Sequence, residues 1–228
     1  MGEGVLDHAR REAEFVPVGK AKGRHSKSQA EINALLVQLA RAGKTVVRLK
    51  GGDPSIFGRG GEEVELLRAS GIDVEVIPGI TAATAAAASL QIPLTHRDLS
   101  RSVTFISGHA AGDGAPDFDQ VDLAALANQG ATLAVYMGLS TSGALARRLL
   151  DAGWSPAMPI VIASRISQAG ERRIATTLDV LAEPSTELGL TGPALLIVGE
   201  VAGLDMAGLV ERLTHGTVHS TSGALAYA

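Results

Sequence analysis

The sequence predicts an α/β protein. Helical and strand-like patterns alternate along it, two glycine-rich loops each follow a predicted strand, and aliphatic residues rather than aromatics must fill the interior, since aromatics make up only 3% of the chain. The alternation argues for a parallel sheet. In such sheets ligands gather beyond the carboxyl ends of the strands, which is where both glycine loops belong.

The elements follow in order. Residues 1–14 are charged and lead into a short apolar run at 15–18. Ser28 and Glu31 read as a capping box, and Ile32, Leu35, Leu36 and Leu39 continue at helical spacing until Gly43 ends the helix in a left-handed turn. Residues 45–49 are a β-branched run between lysines, predicted as a buried strand. A glycine-rich loop occupies 50–61, a helix 62–70, a strand 74–77 and an alanine-rich helix 81–90. The second half offers strands at 103–107, 132–136, 159–163, 172–176 and 194–198, an amphipathic helix at 141–152 and a closing helix at 205–213. Two domains are expected, 1–100 and 101–213, with a flexible tail over 214–228.

Composition narrows the function classes. At 46% hydrophobic over 228 residues the chain can build a sizeable core. A net charge of −4 argues against a nucleic-acid binder. The absence of cysteine excludes disulfides and thiolate metal sites. No apolar run approaches a membrane span, and the first residues are too polar for a signal peptide, so a cytoplasmic enzyme without membrane association is expected.

The densest chemical signal runs from Arg48 to Glu63. Gly51 and Gly52 strip side chains from the end of a predicted strand and leave backbone groups open to a ligand. Asp53 offers a carboxylate suited to an amino group or a ribose hydroxyl, Pro54 fixes the turn, and Arg59 presents a guanidinium suited to a carboxylate. A purely structural turn with a salt-bridged arginine would use the same residues. The loop is neither a nucleotide-triphosphatase phosphate loop, lacking the glycine–lysine–hydroxyl ending, nor the dinucleotide fingerprint, since Asp53-Pro54 interrupts it.

Residues 46–63 closely resemble the tetrapyrrole methylases, and most of all their uroporphyrinogen-III C-methyltransferase branch. The stretches 76–82, 92–98, 107–109, 136–139 and 192–199 also resemble the family's motifs, in order and at fitting distances, from about Leu6 to about Val201. The resemblance implies two αβα domains of the class III methyltransferase type, a homodimer, and S-adenosylmethionine bound folded in a cleft, leaving as S-adenosylhomocysteine, with no metal. It places Gly51, Gly52, Asp53 and Ile56 at the methionine end of the cofactor, Thr81 and Ala82 on the next part, and Met137, Ile166 and Ala194 around the remainder. The family often has glycine where Ile166 stands, so this side chain crowds an adenosine contact. Lys20 matches a lysine assigned an acid–base role, and Arg59 an arginine facing the substrate. Arg24, His96 and Arg97 are further candidate contacts for the carboxylates of a tetrapyrrole, while His109 has no assigned role beyond its motif.

The implied reaction is C-methylation of uroporphyrinogen III at C2 and C7 to give precorrin-2, on the way to sirohaem, cobalamin or haem d1. The family pattern also places a strand, a glycine-rich loop, a helix and a second strand ahead of the segment matching Val5. On that pattern the first domain is incomplete at its N-terminus, one wall of the cofactor site and the proton-accepting aspartate are missing, and the chain as given is inactive or weak. Two other readings stand beside this one: a related methyltransferase for a later corrin precursor, an rRNA ribose or diphthine, and a non-catalytic remnant that binds tetrapyrrole or dimerises.

Overall fold

The structure is a computed structural model, and it describes residues 4–19, 27–108, 118, 120–184, 186–204, 206, 208–214 and 217–219. The chain divides into two compact units, residues 1–81 and 82–228. The division expected from sequence lay later, near Ser100.

In the first unit the capping box forms as predicted. The Glu31 amide donates to Ser28 Oγ at 3.2 Å, and the Ser28 amide donates to Glu31 Oε2 at 2.6 Å. Helix α1 (Gln29–Arg41) buries Ile32 and Leu36, and Gly43 takes the left-handed conformation that ends it. Helix α2 (Gly60–Ala69) packs on α1 and stops before Gly71.

The predicted strands at 45–49 and 74–77 are not strands among the described residues. Thr45, Val47 and Leu49 are exposed, Val47 by 82%, whereas Arg48 and Lys50 turn inward. A β-branched run reports a preference for extended backbone. A strand also needs a ladder neighbour, and none pairs with these residues within the described part of the chain.

The second unit opens with helix α3 (Ala82–Leu90), which packs against a seven-stranded sheet. Its strands are β1 (Val103–Ser107), β2 (Thr132–Tyr136), β3 (Pro159–Ser164), β4 (Arg172–Thr177), β5 (Ala194–Val198), β6 (Glu211–Thr214) and β7 (Thr217–His219), in the order β1-β2-β5-β3-β4-β6-β7. The sheet is mixed rather than parallel. β1 and β2 are parallel, but β5 runs antiparallel between β2 and β3. The central strands are buried on both faces, which is why they read as unbroken apolar runs.

Helix α5 (Ser142–Asp151) buries Ser142, Leu145, Ala146 and Leu149, a 3–4–7 stripe, onto a core that includes Leu133, Ile160, Leu178 and Leu196. Two short helices, α4 (Leu123–Asn128) and α6 (Leu178–Ala182), complete the layer, and the Trp154 indole donates to the Leu123 carbonyl at 2.9 Å.

The expected closing helix at 205–213 is corrected. Glu211 to Thr214 form β6, which pairs with β4 and forms a hairpin with β7 inside the expected tail. The Arg172 guanidinium grips the Glu211 carboxylate at 3.0 and 2.8 Å, and Leu213 is buried, so pairing with β4 overrides the helical spacing.

Candidate functional site

The site residues predicted from sequence fall into two groups, one in each unit. The first group is the loop leaving Lys50. Gly52 adopts a left-handed φ of 79°. Asp53 Oδ1 accepts the Ser55 amide at 2.7 Å, and Asp53 Oδ2 accepts the Gly79 amide at 2.9 Å. Those two amides, Gly79 first, hold the Asp53 carboxyl below its ordinary pKa. Asp53 therefore clasps the first glycine loop to the second, a role that the reading of a ligand-directed carboxylate did not foresee. The loops touch closely: a Cβ on Gly79 would stand 2.3 Å from the Gly52 carbonyl oxygen.

Gly51 differs from its neighbours. Its φ lies outside the left-handed region, and a Cβ built on it meets nothing within 4 Å. Ile56 is half-buried at the turn where its amide meets the Asp53 carbonyl.

Arg59 sits at the N-cap of α2 with φ 55° and is more than half exposed. Its Nε and Nη2 donate to the two Glu62 carboxylate oxygens at 2.8 and 2.5 Å. This is the salt-bridged arginine that the structural alternative described. The guanidinium has five N–H donors, so this pair leaves others available to a ligand. Glu62, its partner, was not singled out from sequence.

In the second unit the geometry is set by strand direction. β2 and β3 both run antiparallel to β5, so the ends of β2 and β3 lie at the start of β5. Met137 follows β2, Ile166 lies two residues past β3, and Ala194 begins β5, so the sheet brings these three to one end. Backbone strain gathers there as well: Met137, Arg165 and Ser167 have φ of 55°, 54° and 60° without being glycine. Such outliers persist where surrounding structure holds them and often accompany function.

The Arg165 amide donates to the Pro193 carbonyl at 2.9 Å, tying the turn around half-buried Ile166 to the start of β5. Gly108 packs on Gly138 so closely that a Cβ would stand 2.5 Å from the Gly138 Cα, and Thr141 Oγ1 donates to the Gly108 carbonyl at 2.7 Å. A cavity of about 950 Å³ opens here, lined by Met137, Leu139, Gly143, Arg147, Thr191 and Ala194 among others. Its size suits a small molecule. Ile166 does not line it. Ala82 starts α3, and the next residue's amide, that of Ala83, donates to the Tyr136 hydroxyl at 3.1 Å, which ties α3 to the end of β2.

Sequence reasoning also missed Glu171. Its carboxylate is largely buried and accepts the Ser89 hydroxyl, the Ser167 amide at 2.8 Å and Arg173 Nε at 2.8 Å. Burial pushes its pKa up, but the three donors outweigh burial and hold it below 4.5. A depressed carboxyl contributes stability above its unfolded pKa and loses it as pH falls through the folded value. Glu171→Gln is therefore expected to cost roughly 1–3 kcal/mol at neutral pH. Thermal unfolding followed from about pH 6 to about pH 3 should show a shallower acid limb in the variant than in the parent. Parallel limbs would show that Glu171 contributes nothing to the acid response.

His96 builds a local turn. Its amide donates to the Ser100 carbonyl at 2.7 Å, and its Nδ1 accepts the Asp98 amide at 3.2 Å. Arg97 is exposed beside it, and Thr81 is half-buried. Lys20, Arg24 and His109 lie outside the described residues. Among the described residues no cluster of three or more metal-ligating side chains forms, and no helix is long and apolar enough to cross a membrane.

The family model of tetrapyrrole (corrin/porphyrin) methylases matches residues 2–182. Siroheme synthase 1 of Cronobacter sakazakii is 45% identical over 204 residues, which is 90% of this chain but 42% of that protein. The chain thus spans less than half the length of this curated relative. The crystal structure of uroporphyrin-III C-methyl transferase from Thermus thermophilus, complexed with S-adenosyl homocysteine, superposes with a TM-score of 0.68 at 42% identity, covering 79% of this chain and 77% of that one. A cobalt precorrin-4 methyltransferase superposes at 0.73 with 27% identity, covering 88% and 80%. A family match across most of the chain, joined to such identity over three quarters of a solved relative, makes this chain a member of the tetrapyrrole methylase family.

Proposed function

We propose that the chain is the methyltransferase part of an enzyme that methylates uroporphyrinogen III from S-adenosylmethionine, at C2 and then C7, giving precorrin-2. The observation that supports the reading is Gly51: neither a left-handed φ nor close packing calls for glycine there, and the open space beside it leaves room for a ligand. Gly51, Gly52, Asp53, Ile56 and Thr81 in the first unit, and Ala82, Met137, Ile166 and Ala194 in the second, are the proposed cofactor residues. Within the second unit, the cavity at the sheet end has a size that suits a small ligand.

When bound, the sulfonium supplies an electrophilic methyl group for an electron-rich pyrrole carbon. The protein's task is to orient the reactants, which removes much of the entropic barrier, and to take up the proton released as the bond forms. The two loops clasped by Asp53 give the backbone groups at Gly51 and Gly52 a fixed direction. Arg59, with Arg24, His96 and Arg97, is proposed to meet substrate carboxylates, and Lys20 to take part in proton transfer. A homodimer in the cytoplasm completes the proposal. A later corrin precursor is the second reading, favoured by the higher TM-score of the cobalt precorrin-4 enzyme. The greater identity to the uroporphyrin enzyme favours the first.

Calorimetry with S-adenosylhomocysteine tests the cofactor site. Micromolar binding to the 228-residue chain supports a working cofactor site, and undetectable binding would overturn it in favour of the non-catalytic remnant. Binding of uroporphyrin III in preference to a cobalt-corrin separates the two acceptors.

A further inference from the structure

Glu63 lies on α2 and is only 4% exposed. Its carboxylate accepts Lys50 Nζ at 2.8 Å, Gln29 Nε2 at 3.0 Å and Arg48 Nε at 3.2 Å. Gln29 is the first residue of α1, while Arg48 and Lys50 lead directly into the glycine loop. Three donors from two segments therefore converge on one buried charge carried by a third. Burial pushes the carboxyl upward in pKa, but these donors hold it below its ordinary value, so it stays ionised.

Stability alone is a poor reason for such a cluster. Ions lose hydration on burial, and replacing a buried ion pair by apolar side chains often costs nothing. What the cluster supplies is position. The segment 45–49 forms no strand among the described residues, so no ladder there sets where the loop begins. Lys50 does so instead. Its side chain is 12% exposed, and its Cε lies 3.4 Å from where a Gly58 Cβ would stand. The stem thus runs beneath the loop from its first residue to its far side and ends on Glu63. Around it the loop closes tightly: a Cβ on Gly58 would lie 2.9 Å, and one on Gly60 2.4 Å, from the Pro54 carbonyl oxygen.

We propose that Glu63 is a positioning residue: through Lys50 and Arg48 it holds the backbone of Gly51, Gly52 and Asp53 in the shape that receives the cofactor. The inference rests on the cofactor reading given above. Glu63 is buried, whereas Gly51 and Gly52 are exposed, so it acts through the loop rather than on the ligand. Fixing the loop before binding spares the ordering cost that a free loop would add to association.

The test uses Glu63→Gln, Lys50→Met and Lys50→Arg in the 228-residue chain. Lys50→Met keeps the stem under Gly58 and removes the charge, and Lys50→Arg restores a cation. Glu63→Gln and Lys50→Met are expected to weaken S-adenosylhomocysteine binding by about tenfold. Amide exchange should quicken over residues 51–57 and at Gly79 while α1, α2 and the second unit keep their protection. Lys50→Arg should recover most of both effects. If Glu63→Gln unfolds the first unit, Lys50→Met decides the matter alone. Unchanged affinity and unchanged loop exchange in Lys50→Met, or an Arg variant no better than Met, would overturn the proposal. Loop exchange needs no ligand. A parent chain that fails to bind S-adenosylhomocysteine would therefore sink the cofactor reading, and loop exchange would still decide the role of Glu63.

Discussion

Gly51→Val should weaken S-adenosylhomocysteine binding by about 100-fold, the upper end of what overfilling a fitted space costs. Its thermal stability should stay within about 0.5 kcal/mol of the parent, as for an exposed site with no special backbone demand. The two halves of this expectation come from one observation. Gly51 is exposed, its φ lies outside the left-handed region, and nothing lies within 4 Å of the added Cβ. A valine there enters open space, which on the proposed reading the cofactor occupies. Gly79→Ala is the contrasting variant. Its methyl would meet the Gly52 carbonyl oxygen at 2.3 Å, so the two loops must part and the Asp53 clasp with them. Gly79→Ala should therefore lose binding and stability together. Calorimetry and thermal melts on both variants check the pair. A Gly51→Val chain that binds as the parent does would remove the cofactor from this loop.

The second unit was the more legible part of the sequence. Runs such as 132–136 and 194–198 are apolar throughout because both faces of those strands are covered, and short β-branched or aliphatic runs of that length read correctly as strands. Neighbours were not legible. β5 is fifth in the chain, yet it lies between β2 and β3 and reverses direction, which side-chain patterning does not encode. The closing helix failed for a related reason. Met206, Val210 and Leu213 are all buried at helical spacing, but Glu211 meets Arg172, and the Leu213 carbonyl accepts the Thr176 hydroxyl at 3.2 Å. Burial at every third or fourth residue does not by itself choose the backbone.

In the site, the glycine loop was legible as a loop because five glycines and a proline leave few alternatives. The convergence of Met137, Ile166 and Ala194 was implied by family resemblance, since nothing in their spacing joins residues so far apart. The buried carboxylates Glu63 and Glu171 left no signal of their own. A glutamate on a helix surface and one sealed under a loop look the same in sequence until their partners are placed.

Arg59→Ala is expected to weaken uroporphyrin III binding by at least about tenfold while sparing S-adenosylhomocysteine. The Glu62 carboxylate, by hydrogen bonding, raises the Arg59 pKa still further, so the guanidinium carries its charge at any working pH. Arg59 is exposed, its left-handed φ is as demanding for alanine as for arginine, and its side chain is hydrogen-bonded to Glu62 alone among the described contacts, so truncation removes little of the fold. Two consequences act in one direction. On the proposed substrate contact, the macrocycle loses a forked donor, and Glu62 is left as an uncompensated negative charge that repels a polycarboxylate. Arg59→Lys should fall between parent and alanine, because a point charge still balances Glu62 but cannot offer two parallel donors. The loss should shrink as salt is added, since exposed charges are screened over about 8 Å at physiological ionic strength. Fluorescence titration of uroporphyrin III against the three proteins at two salt concentrations tests all of this. Equal affinity in parent and Arg59→Ala would return Arg59 to the purely structural role that its bond to Glu62 also satisfies.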